Sequence, residues 1–245
     1  MIENIVEIKT IAGVMETFTV APGAGRHPPV IIYMDAPGIR EELYDFARRI
    51  AGQGYFVLLP DMYYRSGRLR FDLATIDDAT RGEMFKAMLS LTNQLVMDDT
   101  KAMLDFLDAS PFAAPGPRGC IGYCMSGQYV VSAAGTYPDA FAAAASLYGV
   151  GIVTDKPDSP HLLANRIKGE LYLGFAEKDA YVPDNVIPDL KAGLDMHKVP
   201  YRLEVLPGTD HGFCFPQRAT YVEKAAEQVW TRVFDLFRRR LRAEA

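Results

Sequence analysis

The chain is poor in cysteine: its 245 residues include three, Cys120, Cys124 and Cys214. Three thiols do not make a disulfide framework. They also lack metal-ligand spacing, because no paired CxxC and no HExxH occurs, so neither a metal nor a tightly bound organic cofactor is expected. Positive charge is in deficit as well. Lys and Arg number 26 against 31 Asp and Glu, giving a net charge of −5 and a pI near 5.4, which argues against nucleic acid as the main partner. Long apolar runs are missing. The stretch around Ala142–Ala145 is far too short for a bilayer, and Met1-Ile2-Glu3-Asn4-Ile5 has no basic stretch leading into an apolar one. A cytoplasmic protein without a membrane partner is therefore expected. The basic cluster Arg238, Arg239, Arg240 and Arg242 reads as a solvated last helical turn.

What is present is enough apolar material for one substantial core, 49% of the residues, with no linker or repeat that would divide it; a single domain over residues 1–245 is expected. Ile5–Thr10 and Gly13–Val20 alternate around a short turn and predict an antiparallel pair at a sheet edge. Val30–Met34, Tyr55–Leu59, Arg118–Tyr123, Phe141–Tyr148, Glu170–Phe175 and Tyr201–Leu206 predict further strands. Helical spacing predicts helices over Arg40–Gly52, Asp77–Leu91, Val96–Asp108, Ser126–Ala133, Pro183–His197 and Thr220–Leu241. The alternation implies an α/β fold with a mostly parallel central sheet and helices on both faces. The apolar stripe of the last helix, Val222, Ala225, Val229, Trp230, Val233, Phe234 and Phe237, reads as core packing.

The chemistry centres on Ile121-Gly122-Tyr123-Cys124-Met125-Ser126-Gly127. Cys124 falls at a strand-to-helix turn with small residues on both sides, the pattern of a nucleophile elbow carrying Cys in place of Ser. Small neighbours are needed because a tight turn leaves no room around a strained nucleophile. The first amides of the following helix point at the same spot, where an oxyanion could form. Asp179 lies just past the strand Glu170–Phe175, and His211 in the loop after Tyr201–Leu206. The order nucleophile, acid, histidine is that of the α/β-hydrolase arrangement, and three residues that follow parallel strands emerge at one sheet edge. His211 is preferred as base over His27, His161 and His197; Glu177 and Asp210 are the rivals of Asp179.

Taken together these segments resemble the dienelactone hydrolase family of the α/β-hydrolase fold. The resemblance rests on Gly122-Tyr123-Cys124-Met125-Ser126-Gly127, Asp179-Ala180-Tyr181-Val182-Pro183, His211-Gly212-Phe213, Gly54-Tyr55-Phe56-Val57, Pro60-Asp61-Met62-Tyr63-Tyr64-Arg65 and Tyr148-Gly149-Val150-Gly151, and it covers about Ile5 to Phe237. It implies a carboxylic-ester hydrolase with a Cys124–His211–Asp179 triad and an oxyanion hole from the amides of Ala36 and Met125. It also implies a carboxylate that pairs with the resting thiol at the position of Asp35, where the family carries Glu. Of the two arginines with which the family holds a substrate carboxylate, Arg81 fits the first; Phe215 occupies the position of the second, and Arg218 is the nearest arginine. Phe cannot replace a guanidinium grip, so a less charged, more apolar acyl group suits Phe215, Phe85 and Cys214 better, and Tyr148 is expected beside Phe85 and Phe215 in substrate binding.

The expected function is hydrolysis of an ester or lactone through an acyl-thioester on Cys124. The substrate is a small molecule, and the protein is a monomer or small homo-oligomer. The alternative is a thiol redox sensor, with Cys214 as resolving residue, or a non-catalytic small-ligand binder on the same fold.

Overall fold

The computed structural model describes residues 1–242, which divide into two compact units, Met1–Pro115 and one beginning at Gly116. In the first unit, β1 (Ile2–Thr10) and β2 (Gly13–Ala21) form a hairpin with Ile2 opposite Ala21 and Thr10 opposite Gly13. Strand β2 continues antiparallel onto β4 (Phe56–Pro60), which is parallel to β3 (Pro29–Tyr33). Both β3 and β4 are buried at every position, so side chains on both faces are covered, as their unbroken apolar runs require. Helix α1 (Glu41–Ala51) buries Leu43, Phe46, Ala47 and Ile50, one stripe at helical spacing, and packs on β2 and β4. Acidic Glu41 and Glu42 open it and Arg48 and Arg49 close it, in line with the helix dipole. Helices α2 (Asp78–Ser90) and α3 (Asn93–Ala109) start on Asp77 and Thr92, whose side chains accept from the amides of Thr80 and Leu95.

In the second unit all strands run parallel, in the order β5 (Arg118–Tyr123), β6 (Phe141–Leu147), β7 (Glu170–Lys178) and β8 (Tyr201–Asp210). Helix α4 (Gly127–Thr136) packs on β5 and β6, and α6 (Glu223–Leu241) packs on β5 to β8; α5 (Val186–Met196) lies between β7 and β8 in the chain. The α6 stripe is core: Ala225, Val229, Trp230, Val233 and Phe237 are buried. Its last turn is more than solvated charge, because Arg239 and Arg240 both reach the Glu170 carboxylate and Arg238 and Arg239 reach Asp235.

Two strands are longer than their apolar patterns predict. β7 runs to Lys178 and β8 to Asp210, through Pro207-Gly208. A register shift between Ala176 and Lys178 absorbs the irregularity, and β8 pairs only with β7 within this unit, so an absent Pro207 N–H is tolerated there. Side chains complete the bulge: the Glu177 amide donates to Thr209 Oγ1 at 3.2 Å, and the Gly208 amide donates to Glu177 Oε2 at 2.6 Å. Extension of both strands sets Asp179 and His211 directly at strand ends.

One buried ion pair stands out in the first unit. Asp99, 3% exposed, accepts from both terminal nitrogens of Arg65 at 2.8 Å and from the Tyr64 hydroxyl at 2.8 Å. The Tyr64 hydroxyl is also 2.6 Å from Thr10 Oγ1, which ties the tip of the β1–β2 hairpin to α3. Replacing Asp99 by Ala takes from the Arg65 guanidinium its hydrogen-bonded counter-charge. The expected outcome is a loss of roughly 2–4 kcal/mol in unfolding free energy, read as a lower urea midpoint with an unchanged slope.

Candidate active site

Strand β5 ends at Tyr123, and Cys124 begins a single 3-10 turn, Cys124–Ser126, that leads into α4. Cys124 has φ +54°, a left-handed conformation rare for a residue with a side chain. Strain of this kind costs about 1–3 kcal/mol and persists only where the surroundings enforce it. They do. A Cβ on Gly122 would lie 2.8 Å from the Ser126 carbonyl oxygen, and one on Gly127 would lie 2.1 Å from the Gly149 Cα. Both small residues are therefore demanded by the path of the backbone. The Cys124 carbonyl accepts from the Val150 amide at 3.0 Å. In a trans peptide the C=O and the next N–H point in opposite directions, so this bond aims the Met125 N–H away from Val150. The Met125 carbonyl is held in turn by Gln128 Nε2 at 3.0 Å.

The expected partners of Cys124 stand at the same edge of the parallel strands. Asp179 immediately follows β7 and His211 immediately follows β8. His211 Nδ1 lies 2.7 Å from Asp179 Oδ2, with the two side chains 14% and 4% exposed. The second carboxylate oxygen accepts from the Tyr181 amide at 3.0 Å, an Asx turn that fixes the carboxylate plane. Burial pulls the His211 pKa down, but the hydrogen bond to Asp179 and the interaction with the Cys124 thiol outweigh it, and the value is raised to about 9. With Nδ1–H given to Asp179, Nε2 is left for the thiol; it is buried and closes no hydrogen bond of ordinary geometry. Cys124 itself is partly exposed, whereas Cys120 and Cys214 are buried, and burial raises the Cys120 thiol well above its normal range.

The rivals are accounted for. Glu177 is committed to the bulge, and the side chain of Asp210 is exposed within β8. His27 sits in an isolated bridge to Ala113, His161 bonds Ser159 at 2.8 Å, and His197 caps α5. Around the triad, Tyr148 is fully buried at φ +37° and meets the His211 ring edge-on at 5.1 Å. Phe215 is also fully buried, 5.3 Å from Tyr123, with the Arg218 guanidinium 4.3 Å over its ring; it thus serves as a packing surface beneath a cation.

In the first unit, Asp35 is fully buried and receives both terminal nitrogens of Arg40, at 2.6 and 3.2 Å. Arg40 also donates to Glu42 at 3.0 Å. Arg40 is a partner of Asp35 that the sequence reading missed. Ala36 is buried, and its carbonyl accepts from the Tyr63 hydroxyl at 2.8 Å. Arg81 is exposed on α2 and Phe85 is half-buried there. Among the described residues no group of His, Cys, Asp and Glu is placed to hold a metal ion, and no helix is long and apolar enough to cross a membrane.

Two outcomes follow. Gly127→Ala should destabilise the protein by about 1–3 kcal/mol or more, because the new methyl meets backbone that cannot swing aside; the thermal midpoint reads this. Asp179→Asn should lower the His211 pKa from about 9 towards the ordinary 6.5, followed by NMR titration of the ring. The sign for stability is that of a group whose pKa is raised on folding: its contribution is complete below 6.5 and lost as pH rises through about 9, and the variant should lose less over that interval.

The sequence pattern of the dienelactone hydrolase family matches residues 15–241. A Synechocystis protein named "Putative carboxymethylenebutenolidase" is 28% identical over 221 residues, 89% of this chain and 88% of its own. The "Protein usf" of Aquifex pyrophilus is 26% identical, over 86% of this chain and 87% of its own. Among solved structures, a "Putative Dienelactone Hydrolase" from Klebsiella pneumoniae superposes with a TM-score of 0.85 at 23% identity, covering 97% of this chain and 98% of the other. A dienelactone hydrolase-like promiscuous phosphotriesterase from metagenomic libraries superposes with a TM-score of 0.75 at 20% identity, covering 98% and 99%. The chain has the α/β-hydrolase fold, belongs to the dienelactone hydrolase family, and is a carboxylic-ester hydrolase of that family.

Proposed function

We propose that the protein cleaves a small activated ester or lactone by acyl transfer through Cys124, with His211 as the proton carrier and Asp179 as its orienting acid. The observation that carries this reading is a left-handed Cys124 at the end of β5, in the same unit as a partly buried His211–Asp179 pair at the ends of β7 and β8. His211 takes the thiol proton, and the thiolate adds to the ester carbonyl to form a C–S bond. The oxyanion is received by the Met125 amide, whose direction the Val150 bond sets. The tetrahedral species collapses with loss of the alcohol or enol oxygen, which takes the proton from His211. Water, deprotonated by His211, then adds to the thioester and expels the thiolate. A thiolate is itself a good leaving group, so the first step goes forward only when the ester oxygen leaves readily; unactivated amides should be poor substrates.

Asp35 and Arg81 keep the roles the family likeness suggests only as proposals. Tyr148 sets an apolar ring against His211, in keeping with an uncharged acyl group. A thiol switch is less well supported, because Cys214, the candidate resolving residue, is 2% exposed. Replacing Cys124 by Ala should abolish hydrolysis of an activated test ester while leaving the thermal midpoint near that of the wild type. Intact-mass spectrometry of the wild type, quenched early, should show one acyl group on Cys124. Full activity in the Ala variant would defeat the proposal.

A further inference from the structure

Tyr181 is the one large aromatic among the described residues that combines exposure with contact to the proposed triad. Its ring meets His211 edge-on, with centroids 4.8 Å apart at 66°, while Tyr148 meets the same imidazole at 5.1 Å and 69°. The imidazole is thus held between two phenol rings, but the two are not equivalent. Tyr148 is fully buried and packs on Phe213, whereas Tyr181 is 56% exposed. The backbone places Tyr181 firmly: its amide donates to Asp179 Oδ1, and the amide of Val182 donates to the Asp179 carbonyl at 3.1 Å. A ring fixed by its backbone yet left half in water keeps apolar area open to a bound molecule.

We infer that Tyr181 is a specificity-determining residue, which receives an aromatic or otherwise planar apolar leaving group at the mouth of the site. The inference rests on the hydrolase reading above and goes beyond it. The geometric reason lies in the position of His211. The leaving oxygen must come within hydrogen-bond reach of Nε2 to take a proton, which brings the group attached to it alongside the rings that flank the imidazole. Of those rings, Tyr181 alone offers free surface. Edge-to-face contact with a planar group adds a modest preference, about fivefold in rate for one aromatic pair. An alkyl leaving group gains little from the same surface.

The test compares an aryl ester with an alkyl thioester that shares its acyl part, as kcat/KM ratios in wild type, Tyr181→Ala and Tyr181→Phe. The aryl preference should fall by about fivefold in the Ala variant and be kept in the Phe variant, which retains the ring. Labelling of Cys124 by N-phenyl iodoacetamide and by iodoacetamide, followed by mass spectrometry, gives the same comparison without turnover: the sulfur displaces iodide in both, and only the first reagent carries a ring. An aryl preference in labelling that Tyr181→Ala abolishes supports the inference even if no ester is hydrolysed, a result that would count against the hydrolase reading alone. Equal loss for aryl and alkyl reagents, or an unchanged ratio in the Ala variant, would overturn it.

Discussion

The site depends on a backbone conformation that the chain would not adopt on its own. Cys124 is held left-handed at the end of β5, and the surrounding contacts leave it no alternative. Gly127 lies against Gly149 so closely that neither could carry a side chain, and Gly122 is pressed against Ser126. The amide of Val150 holds the Cys124 carbonyl from the other side. The energy stored in one dihedral is small beside the packing that sustains it, which is why a strained residue can be a permanent feature of the fold. The same contacts orient the peptide after the sulfur, so the thiol and its neighbouring amide are positioned by one device.

The second constraint is electrostatic. Burial by itself would keep His211 neutral, because a charged ring is poorly solvated there. A short bond to a buried carboxylate and the nearby thiol reverse that tendency. Asp179 can act in this way because two oxygens are already directed, one by the Tyr181 amide and one by the imidazole. Parallel strands do the rest. Because β5, β7 and β8 run in the same sense, the three residues that follow them meet at one edge although they are far apart in sequence.

Much of this was legible in the sequence. The strands, the helices and the turn that carries Cys124 were found because apolar runs, periodicity and the small residues around Cys124 are local signals. What escaped was set by tertiary contact. The extension of β7 and β8 was hidden by Pro207-Gly208, which read as a turn and are accommodated in a bulge. Arg65, one of three arginines in a polar loop, gave no hint of the buried Asp99 it neutralises. Arg40 was read only as the start of a helix, yet it holds Asp35 with both terminal nitrogens. Phe215 was read as a substrate-binding residue because it stands where the resembling family has its second arginine, while it packs wholly inside, under Arg218. Tyr181 left a faint signal, an aromatic two residues after an acid in a turn, which reveals its exposure only once the chain is folded.

The proline in β8 has a consequence beyond register. A parallel strand with a single neighbour leaves a row of amides and carbonyls open on its outer side, and another chain could add to it as if the sheet continued. Here that margin is interrupted by a residue with no amide hydrogen, kinked by a bulge, and set with the charged Arg202 and Glu204 side chains. An incoming strand would find a broken ladder. The irregularity that helps carry His211 to its place therefore also guards the molecule against polymerising through this border.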